Sequence, residues 1–369
     1  MGKIDKSLKL GNRERMIRTC LNQDVDRLPF WQIFGCWGET LERWQNEGFD
    51  GVNVDDWKVP LGFDEGFYTL PVNLGLCPAF ERIILSEDGE KRTIRDHLGL
   101  TFIERKGRSA IPHYIDYPVK TREDWESLKK KRLDPNSPER FPENWQNVLS
   151  VIKEKDAAVQ IGTFPYGLFG TLRDYMGVEN LLTNFCEEPE LVHEIMDYLT
   201  DFWLTIYKKV LSDIQIDHIH IWEDMSGKHG PLISPAMFRE FMKPNYLKIA
   251  DFAKQNNIPV ISVDTDGNMD ILMPLLEESG VNLVFPFEVQ AGCDIVEYKK
   301  QYPNLSILGG IDKRALTKSH EMIDNELDRI DEMFHASGYI PSLDHLIHPQ
   351  ISYENFLYFV KRLKQKIGV

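Results

Sequence analysis

The stretch Ile258-Pro-Val-Ile-Ser-Val-Asp-Thr-Asp-Gly-Asn268 contains the pattern that decides the fold. Its first six residues are mostly apolar and β-branched, which predicts a short buried strand. A polar turn with two aspartates and Gly267 follows, and residues 269–279 then have the character of a helix that stops at Gly280. Because a buried strand, a polar loop and a helix form the repeating unit of a parallel sheet, this stretch predicts an α/β protein.

The same strand, loop and helix order recurs along the C-terminal part of the chain. The six predicted strands are residues 157–161, 217–222, 258–263, 282–287, 305–309 and 339–343. Residues 28–34 predict a first strand, and one weakly marked strand is expected before residue 120. Eight such units predict a (β/α)8 TIM barrel, which we favour over an open sheet.

Two segments do not follow the repeat. Residues 12–22 predict an N-terminal helix, because Met16, Ile17 and Leu21 recur at helical spacing. Residues 60–118 are rich in glycine and contain short β-type pieces around a hairpin turn at residues 87–90. We interpret them as a small antiparallel insertion within a single domain that spans residues 1–369.

Composition excludes several classes of protein. The net charge is −15, and residues 129–132 form the only dense basic run, so nucleic acid is not an expected partner. The five cysteines are scattered and form no CxxC pair, which favours reduced thiols and a cytoplasmic location. The charged N-terminus does not resemble a signal peptide, and no apolar run is long enough for a membrane helix.

Acidic and basic side chains follow five consecutive predicted strands. In a barrel these positions converge at the carboxyl ends of the strands, where active sites form. The residues are Glu223 and Asp224, Asp264 and Asp266, Glu288, Asp312 and Lys313, and finally Asp344 and His345. Any single aspartate at such a position is as readily explained as a helix cap, and Asp312 is a good example. The prediction of an active site therefore depends on the convergence of the whole set.

Asp264 and Asp266 are separated by one residue at a strand end, so both side chains are expected to point the same way. Two carboxylates aimed at one place repel each other unless they bind a cation or share a proton. This spacing is consistent with two arrangements. One is a metal site completed by His345, and the other is an acid with a raised pKa. The alternative is that Asp266 closes the turn before Gly267 and that only Asp264 faces the site.

His218 and His220 alternate with Ile219 and Ile221 in a predicted strand. Because the isoleucines are expected to pack on the outer helices, both histidines should face the barrel interior. We favour hydrogen-bonded interior histidines over a role in orienting the catalytic acids. The sequence contains no GxGxxG, GxxxxGK[ST] or GxSxG motif, which argues against dinucleotide binding, a P-loop and a serine hydrolase.

Several motifs resemble the uroporphyrinogen decarboxylase superfamily, which includes cobalamin-dependent methyltransferases. They are Arg27-Leu-Pro-Phe-Trp31, Ile233-Ser-Pro-Ala-Met-Phe-Arg-Glu-Phe-Met-Lys-Pro244, Pro259-Val-Ile-Ser-Val-Asp-Thr-Asp-Gly-Asn268, Leu308-Gly-Gly-Ile-Asp312 and Ser342-Leu-Asp-His-Leu-Ile-His-Pro349 with Glu354-Asn355. These pieces occur in the family's order over most of the chain.

The resemblance implies the methyl-transferring branch of the family. Porphyrin decarboxylases carry an arginine-rich signature that binds propionates, and here Phe34-Gly-Cys-Trp-Gly-Glu39 has no arginine. The family's thiol methyltransferases hold zinc with a His-x-Cys pair and a late cysteine. Those positions fall on Asp264, Asp266 and His345, which are hard ligands and argue against activation of a thiol. Zinc or another divalent metal remains the expected ion.

The resemblance implies methyl transfer from a small methoxy or methylamine compound to cobalamin carried by a separate corrinoid protein. Glu223 or Asp224 is the expected acid, and Asp264, Asp266 and His345 are the expected metal ligands or proton carriers. The expected substrate contacts are His220, Glu288, Asp312, Lys313 and Asp344, with Lys313 placed to meet a carboxylate.

Two alternatives remain open. The first is a decarboxylase or lyase that acts on a small carboxylated substrate on the same barrel, with Asp264 and His345 transferring the proton. The second is a barrel that binds a small molecule or partner without catalysis. The resemblance also implies that two copies of the chain pair as a homodimer.

Overall fold

Seven parallel strands form a curled sheet in the computed structural model, which describes residues 2–106 and 112–369. In their spatial order these strands are β1 (Phe67–Thr69), β6 (Ala158–Ile161), β7 (His218–Trp222), β10 (Val260–Asp264), β11 (Leu283–Phe285), β12 (Ser306–Leu308) and β13 (Tyr339–Ile340). All six predicted strands after residue 157 are therefore confirmed. β1 is the weakly marked strand expected before residue 120, and it lies inside the range predicted for the insertion.

The helices follow the strands in the predicted alternation, and short 3-10 turns lie between some of them. They are α1 (Asn12–Cys20), α2 (Gly38–Asn46), α3 (Arg122–Arg132), α4 (Trp145–Lys153), α5 (Leu168–Met176), α6 (Val178–Glu187), α7 (Pro189–Leu211), α8 (Pro235–Met237), α9 (Lys243–Gln255), α10 (Leu272–Glu277), α11 (Ile295–Gln301), α12 (His320–Arg329) and α13 (Tyr353–Ile367). Serine caps begin two of these helices, since Ser234 accepts from the Met237 amide and Ser352 from the Asn355 amide.

The predicted insertion is confirmed as an antiparallel sheet. Its strands are β2 (Ile83–Glu87), β3 (Lys91–Arg95), β4 (Thr101–Arg105) and β5 (His113–Asp116). The turn between β2 and β3 is held by Asp88, whose carboxylate accepts the amide hydrogens of Glu90 and Lys91. Residues 107–111 of the predicted insertion lie outside the described residues. A further small ribbon pairs β8 (Ser226–Gly227) with β9 (Gly230–Pro231).

An eight-stranded closed barrel is not confirmed. Residues 28–34, predicted as the first strand, form no strand in the structure. They lie between the two edge strands, because the Phe30 carbonyl accepts from the Asp64 amide at 2.8 Å and the Gln32 side chain accepts from the Leu343 amide at 3.0 Å. The segment thus spans the gap between β1 and β13 through hydrogen bonds to residues that flank these strands, including a second bond from the Phe30 amide to the Asp64 carboxylate at 2.9 Å.

Alternation along the strands divides the core into two layers. Ile219, Ile221, Ile261 and Val263 belong to the large cluster between the outer face of the sheet and the helices. The inward-facing cluster is smaller and consists of Met16, Cys20, Ala158, Val260, Leu283, Phe285, Leu308 and Ile340. Because Met16 and Cys20 come from α1, the N-terminal helix contributes directly to the interior of the sheet.

Ion pairs fix α1 in this place. The Arg13 guanidinium donates to both carboxylate oxygens of Asp217 at 2.9 Å, and Asp217 also accepts the Val159 amide at 2.8 Å. The buried Arg15 donates in the same forked way to Asp26 at 2.8 Å.

No helix in residues 2–106 and 112–369 is both long and apolar enough to cross a bilayer.

The interior position of α1 predicts a large effect of truncating Met16, which is 1% exposed. We expect Met16→Ala to lower the free energy of unfolding by about 2–5 kcal/mol, because it removes buried methylene groups and leaves a void. Urea denaturation checks this. Met322→Ala removes the same atoms from α12, where Met322 is 46% exposed, and should change stability by less than about 0.5 kcal/mol. Equal losses in the two variants would contradict the placement of α1.

Candidate active site

A cavity of about 540 Å³ opens on the inward face of the sheet. Its walls come from the segment that spans the barrel gap, from the loop before β1 and from strands β1, β6, β7, β10 and β11. The lining residues are Trp31, Ile33, Phe34, Lys58, Val59, Phe63, Asp64, Glu65, Phe67, Tyr68, Thr69, Lys155, Ala157, Gln160, Thr163, Phe164, His218, His220, Asp264 and Phe285. The size is that of a pocket for a small organic molecule.

Asp264 is the last residue of β10 and its carboxyl faces this cavity. Burial raises the pKa of Asp264 well above its usual range, and the neighbouring charges of Asp266 and Asp224 raise it further. A carboxyl group held neutral in this way can donate a proton to a bound molecule. The structure therefore places Asp264 at the cavity as the sequence predicts, in the form of an acid with a raised pKa.

His218 and His220 line the same cavity, which confirms that both histidines face inward. Their rings are joined through the Ser262 hydroxyl, which lies 2.6 Å from His218 Nε2 and 3.0 Å from His220 Nδ1. Burial lowers the pKa of both imidazoles, that of His220 to about 3. Both rings are therefore neutral at physiological pH.

Asp266, Glu288 and His345 converge beside the cavity. One ligand atom from each residue lies within 4.8 Å of the others, a grouping that can hold a metal ion. His345 Nε2 is 3.6 Å from the Asp266 carboxylate, and Glu288 accepts the Gly267 amide at 3.0 Å. The structure brings Asp266 and His345 together as predicted, with Glu288 as the third member. Asp264, the other predicted ligand, faces the cavity instead.

Phe34 links this cluster to the cavity. Its ring lines the cavity and stacks on the His345 ring with centroids 5.0 Å apart.

Burial raises the pKa of Glu288, and the charge of Asp266 raises it further. Two carboxylates and one imidazole nitrogen form a hard ligand set, which suits a divalent cation such as zinc, manganese or iron(II).

The remaining predicted substrate contacts are engaged elsewhere. Asp344 is fully buried, and its carboxylate accepts the amide hydrogens of Val289 and Lys313, each at 3.2 Å. The Lys313 ammonium lies 3.7 Å from the same carboxylate. Asp312 caps the turn that follows it and pairs with Arg314 at 2.7 Å. Asp344 thus binds the loops after β11 and β12 to its own loop after β13, and none of the three side chains lines the cavity.

The Glu223 side chain is used for hydrogen bonds within the protein. Its carboxylate accepts the amide hydrogens of Leu168, Phe169 and Gly170 at the start of α5, and the Tyr246 hydroxyl at 2.6 Å. Burial raises the pKa of Glu223 to about 7, although all four donors oppose that rise. Since each carboxylate oxygen already accepts two hydrogen bonds and the group does not line the cavity, the geometry does not support the predicted acid role.

Asp224 also lies outside the cavity lining. Its backbone adopts a left-handed conformation, with φ of 43°. Its carboxylate forms an ion pair with Arg173, which also donates to the Asp224 carbonyl at 2.8 Å. The guanidinium thus ties the end of β7 to α5. Asp224 acts on the site through its charge, which contributes to the raised pKa of Asp264.

The aromatic and amide lining of the cavity was not predicted from sequence. Trp31 and Phe34 come from residues 28–34, which the pattern assigned to a buried strand. Gln160 lines the cavity and donates to the Thr69 hydroxyl at 3.1 Å across neighbouring strands. Its inward position could have been found from the alternation along β6, since Val159 and Ile161 face the helices.

Comparisons with known proteins agree with this fold. A family model described as Uroporphyrinogen decarboxylase (URO-D) matches residues 92–366. A uroporphyrinogen decarboxylase from Anaeromyxobacter sp. (strain Fw109-5) is 24% identical over 346 residues, which cover 91% of this chain and 93% of that protein. One from Campylobacter lari is 26% identical over 282 residues, 73% of this chain and 76% of that protein.

A solved structure described as a methyltransferase from Methanosarcina mazei has the same fold. It superposes with a TM-score of 0.64 at 16% sequence identity, and the match covers 97% of this chain and 99% of that chain. The resemblance predicted from the sequence motifs is therefore confirmed at the level of family and fold.

The contacts of Glu223 predict a loss of stability in Glu223→Gln. Whichever oxygen becomes the amide nitrogen, two buried donors lose their acceptor, so we expect a loss of about 2–5 kcal/mol in urea denaturation at pH 5. Glu179→Gln makes the same change at an exposed site in the first turn of α6 and should have little effect.

The same pair of proteins gives a pH test. Because folding raises the pKa of Glu223 from 4.5 to about 7, its stabilising contribution is complete below pH 4.5 and declines as the pH rises through 7. The gap between wild type and Glu223→Gln should narrow between pH 5 and pH 8. A gap that widens would show that the carboxylate, not the acid, is the form that folding favours.

Proposed function

This chain belongs to the uroporphyrinogen decarboxylase family, and on that premise we propose that it transfers a methyl group from a small methoxy or methylamine compound to a corrinoid on a separate protein. The observation that carries the proposal is the cavity: a neutral Asp264 carboxyl faces a small chamber with aromatic walls, beside a cluster of three hard ligands. The methyltransferase fold of the Methanosarcina mazei protein is compatible with it.

The chemistry requires a proton at the leaving atom. The bond between the methyl carbon and the substrate oxygen or nitrogen breaks, and its electron pair stays on that atom. The corrinoid, as second substrate, supplies the electron pair for the new bond to the methyl carbon. Asp264 gives its proton to the leaving atom and becomes a carboxylate. Burial, which is the largest cause of the raised pKa of Asp264, favours its protonated form before this step.

Asp266, Glu288 and His345 would hold a divalent cation at the edge of the cavity. The chemistry of these three residues fits a cation. The charge of Asp266 raises the pKa of Glu288, and a cation between the two carboxylates would relieve this repulsion. When bound, such an ion supplies Lewis-acid polarisation of an oxygen or nitrogen nearby. His345 is oriented for this role by its stacking on Phe34.

The lining does not favour a porphyrin substrate, which carries many carboxylates. No arginine is among the described residues that line the cavity. The two lining lysines already have acidic partners, since Lys58 lies 2.8 Å from Asp55 and Lys155 lies 3.6 Å from Glu65. Decarboxylation of a smaller acid is the second candidate, because a neutral Asp264 could also protonate a carbanion.

Methyl transfer can be tested directly. Purified protein is incubated with cob(I)alamin and, in turn, with methoxyarenes, methylamines and betaines, and the methylcobalamin spectrum is followed. Asp264→Asn should lower the rate by about 10²–10⁴-fold, because it removes the proton donor. Asp251→Asn changes an exposed aspartate on α9 and serves as the matched control.

Two results would overturn this assignment. One is an Asp264→Asn variant that is as active as the control. The other is no spectral change with any methyl donor, together with release of carbon dioxide from a small carboxylic acid, which would establish the second candidate.

The ligand cluster predicts binding of about one divalent ion per chain. Asp266→Ala combined with Glu288→Ala should abolish retention of zinc or manganese after dialysis, because only one of the three ligands remains. Elemental analysis measures the metal, and Asp251→Ala is the control. Full retention in the double variant would place the metal elsewhere.

A further inference from the structure

Three buried side chains on β7 and β10 form a continuous hydrogen-bonded chain on the cavity wall. His218, Ser262 and His220 are 1%, 0% and 6% exposed. Among the described residues the Ser262 hydroxyl has no hydrogen-bond partner other than these two ring nitrogens. The three residues therefore act as one unit, which we call the His218–Ser262–His220 relay.

The chemistry of the serine hydroxyl couples the two rings. A hydroxyl has one proton to donate and can accept at its oxygen, so Ser262 donates to one imidazole and accepts from the other. If His218 Nε2 accepts, its proton lies on Nδ1, and His220 donates from Nδ1 and has a bare Nε2. In the opposite state His218 Nδ1 is bare and His220 carries its proton on Nε2. Either state leaves one donor end and one acceptor end.

One end of the relay has no partner in the protein. His218 Nδ1 is buried and lacks any hydrogen bond among the described residues, and its residue lines the cavity. No hydrogen bond reaches Nε2 of His220 in the described part of the chain either. Because buried polar atoms in proteins are rarely left without a partner, the free Nδ1 of His218 indicates a bound group that completes the relay.

The surroundings select the charge and shape of that group. Both imidazoles are neutral, and an anion would meet one donor end and one opposing lone pair. Asp264 is the only other ionisable side chain that strands β7 and β10 contribute to the lining, and it is acidic. Aromatic rings cover the relay, since Phe67 lies 4.3 Å from the His218 ring and Phe285 stacks on His220 at 5.3 Å.

We propose that the His218–Ser262–His220 relay is the subsite for a neutral hydroxyl group carried on an aromatic ring of the substrate. A hydroxyl donates and accepts, so it pairs with the relay in either tautomeric state, while the ring packs between Phe67 and Phe285. The inference rests on the proposed function, in that the bound ring is part of the methyl donor. The inference also extends the proposed function, because it excludes a substrate that carries a carboxylate where it meets the relay.

Calorimetry with three aromatic compounds of similar size tests the subsite without any corrinoid. Phenol should bind the wild-type protein about tenfold or more tightly than toluene, and benzoate should bind no better than toluene. His218→Phe should remove the preference of phenol over toluene, because it removes the unpartnered ring nitrogen that the phenol hydroxyl would meet. Ser279→Ala removes a buried serine hydroxyl outside the cavity and should keep the preference.

Each outcome decides for or against the subsite. Equal binding of phenol and toluene, tighter binding of benzoate, or no binding of any of the three would overturn it. If His218→Phe does not fold, His218→Leu replaces it and should also lose the preference for phenol. A clear preference for phenol in a protein that shows no methyl transfer would leave the subsite intact and overturn the proposed reaction alone.

Discussion

The buried carboxylate of Glu223 holds together the parts of the molecule that form the site. Its two oxygens accept three amide hydrogens from the first turn of α5 and the hydroxyl of Tyr246 on α9. Its own amide donates to the Asp264 carbonyl at 2.8 Å. The close approach requires glycine, since a Cβ at Gly167 would lie 1.8 Å from the Trp222 carbonyl oxygen. The side chain of Glu223 thereby fixes two helices, and its backbone fixes the strand end that carries the proposed proton donor.

Electrostatic repulsion shapes the mouth of the sheet. Burial raises the pKa of Asp264 and of Glu288, and the charge of Asp266 raises both further. The charge of Asp224 adds to the rise at Asp264. A fold has no structural reason to gather such charges, because their repulsion costs stability. Protonation relieves it at Asp264, and a cation would relieve it at Asp266 and Glu288. On β7 the cavity wall carries two neutral histidines with aromatic rings against them, so acidic and uncharged surfaces lie side by side.

The chain matches the uroporphyrinogen decarboxylase model over residues 92–366, yet the described lining of its cavity has no arginine to neutralise porphyrin carboxylates. A family scaffold with a changed lining is expected where the βα loops and inward positions vary while the outer core is retained.

Local patterns in the sequence determined the βα repeat, the antiparallel insertion, the inward histidines and the place of Asp264 at a strand end. These follow from alternation and turn residues, which act over a few residues. Only the tertiary structure decided that Glu223 accepts the amide hydrogens of the first turn of α5 and that Glu288 lies beside Asp266 and His345. It also decided that residues 28–34 span the gap between β1 and β13 without forming a strand. Each of these depends on partners that are tens to hundreds of residues away in the chain. Sequence spacing does not encode such distances, because they arise when the sheet curls and brings strand ends together.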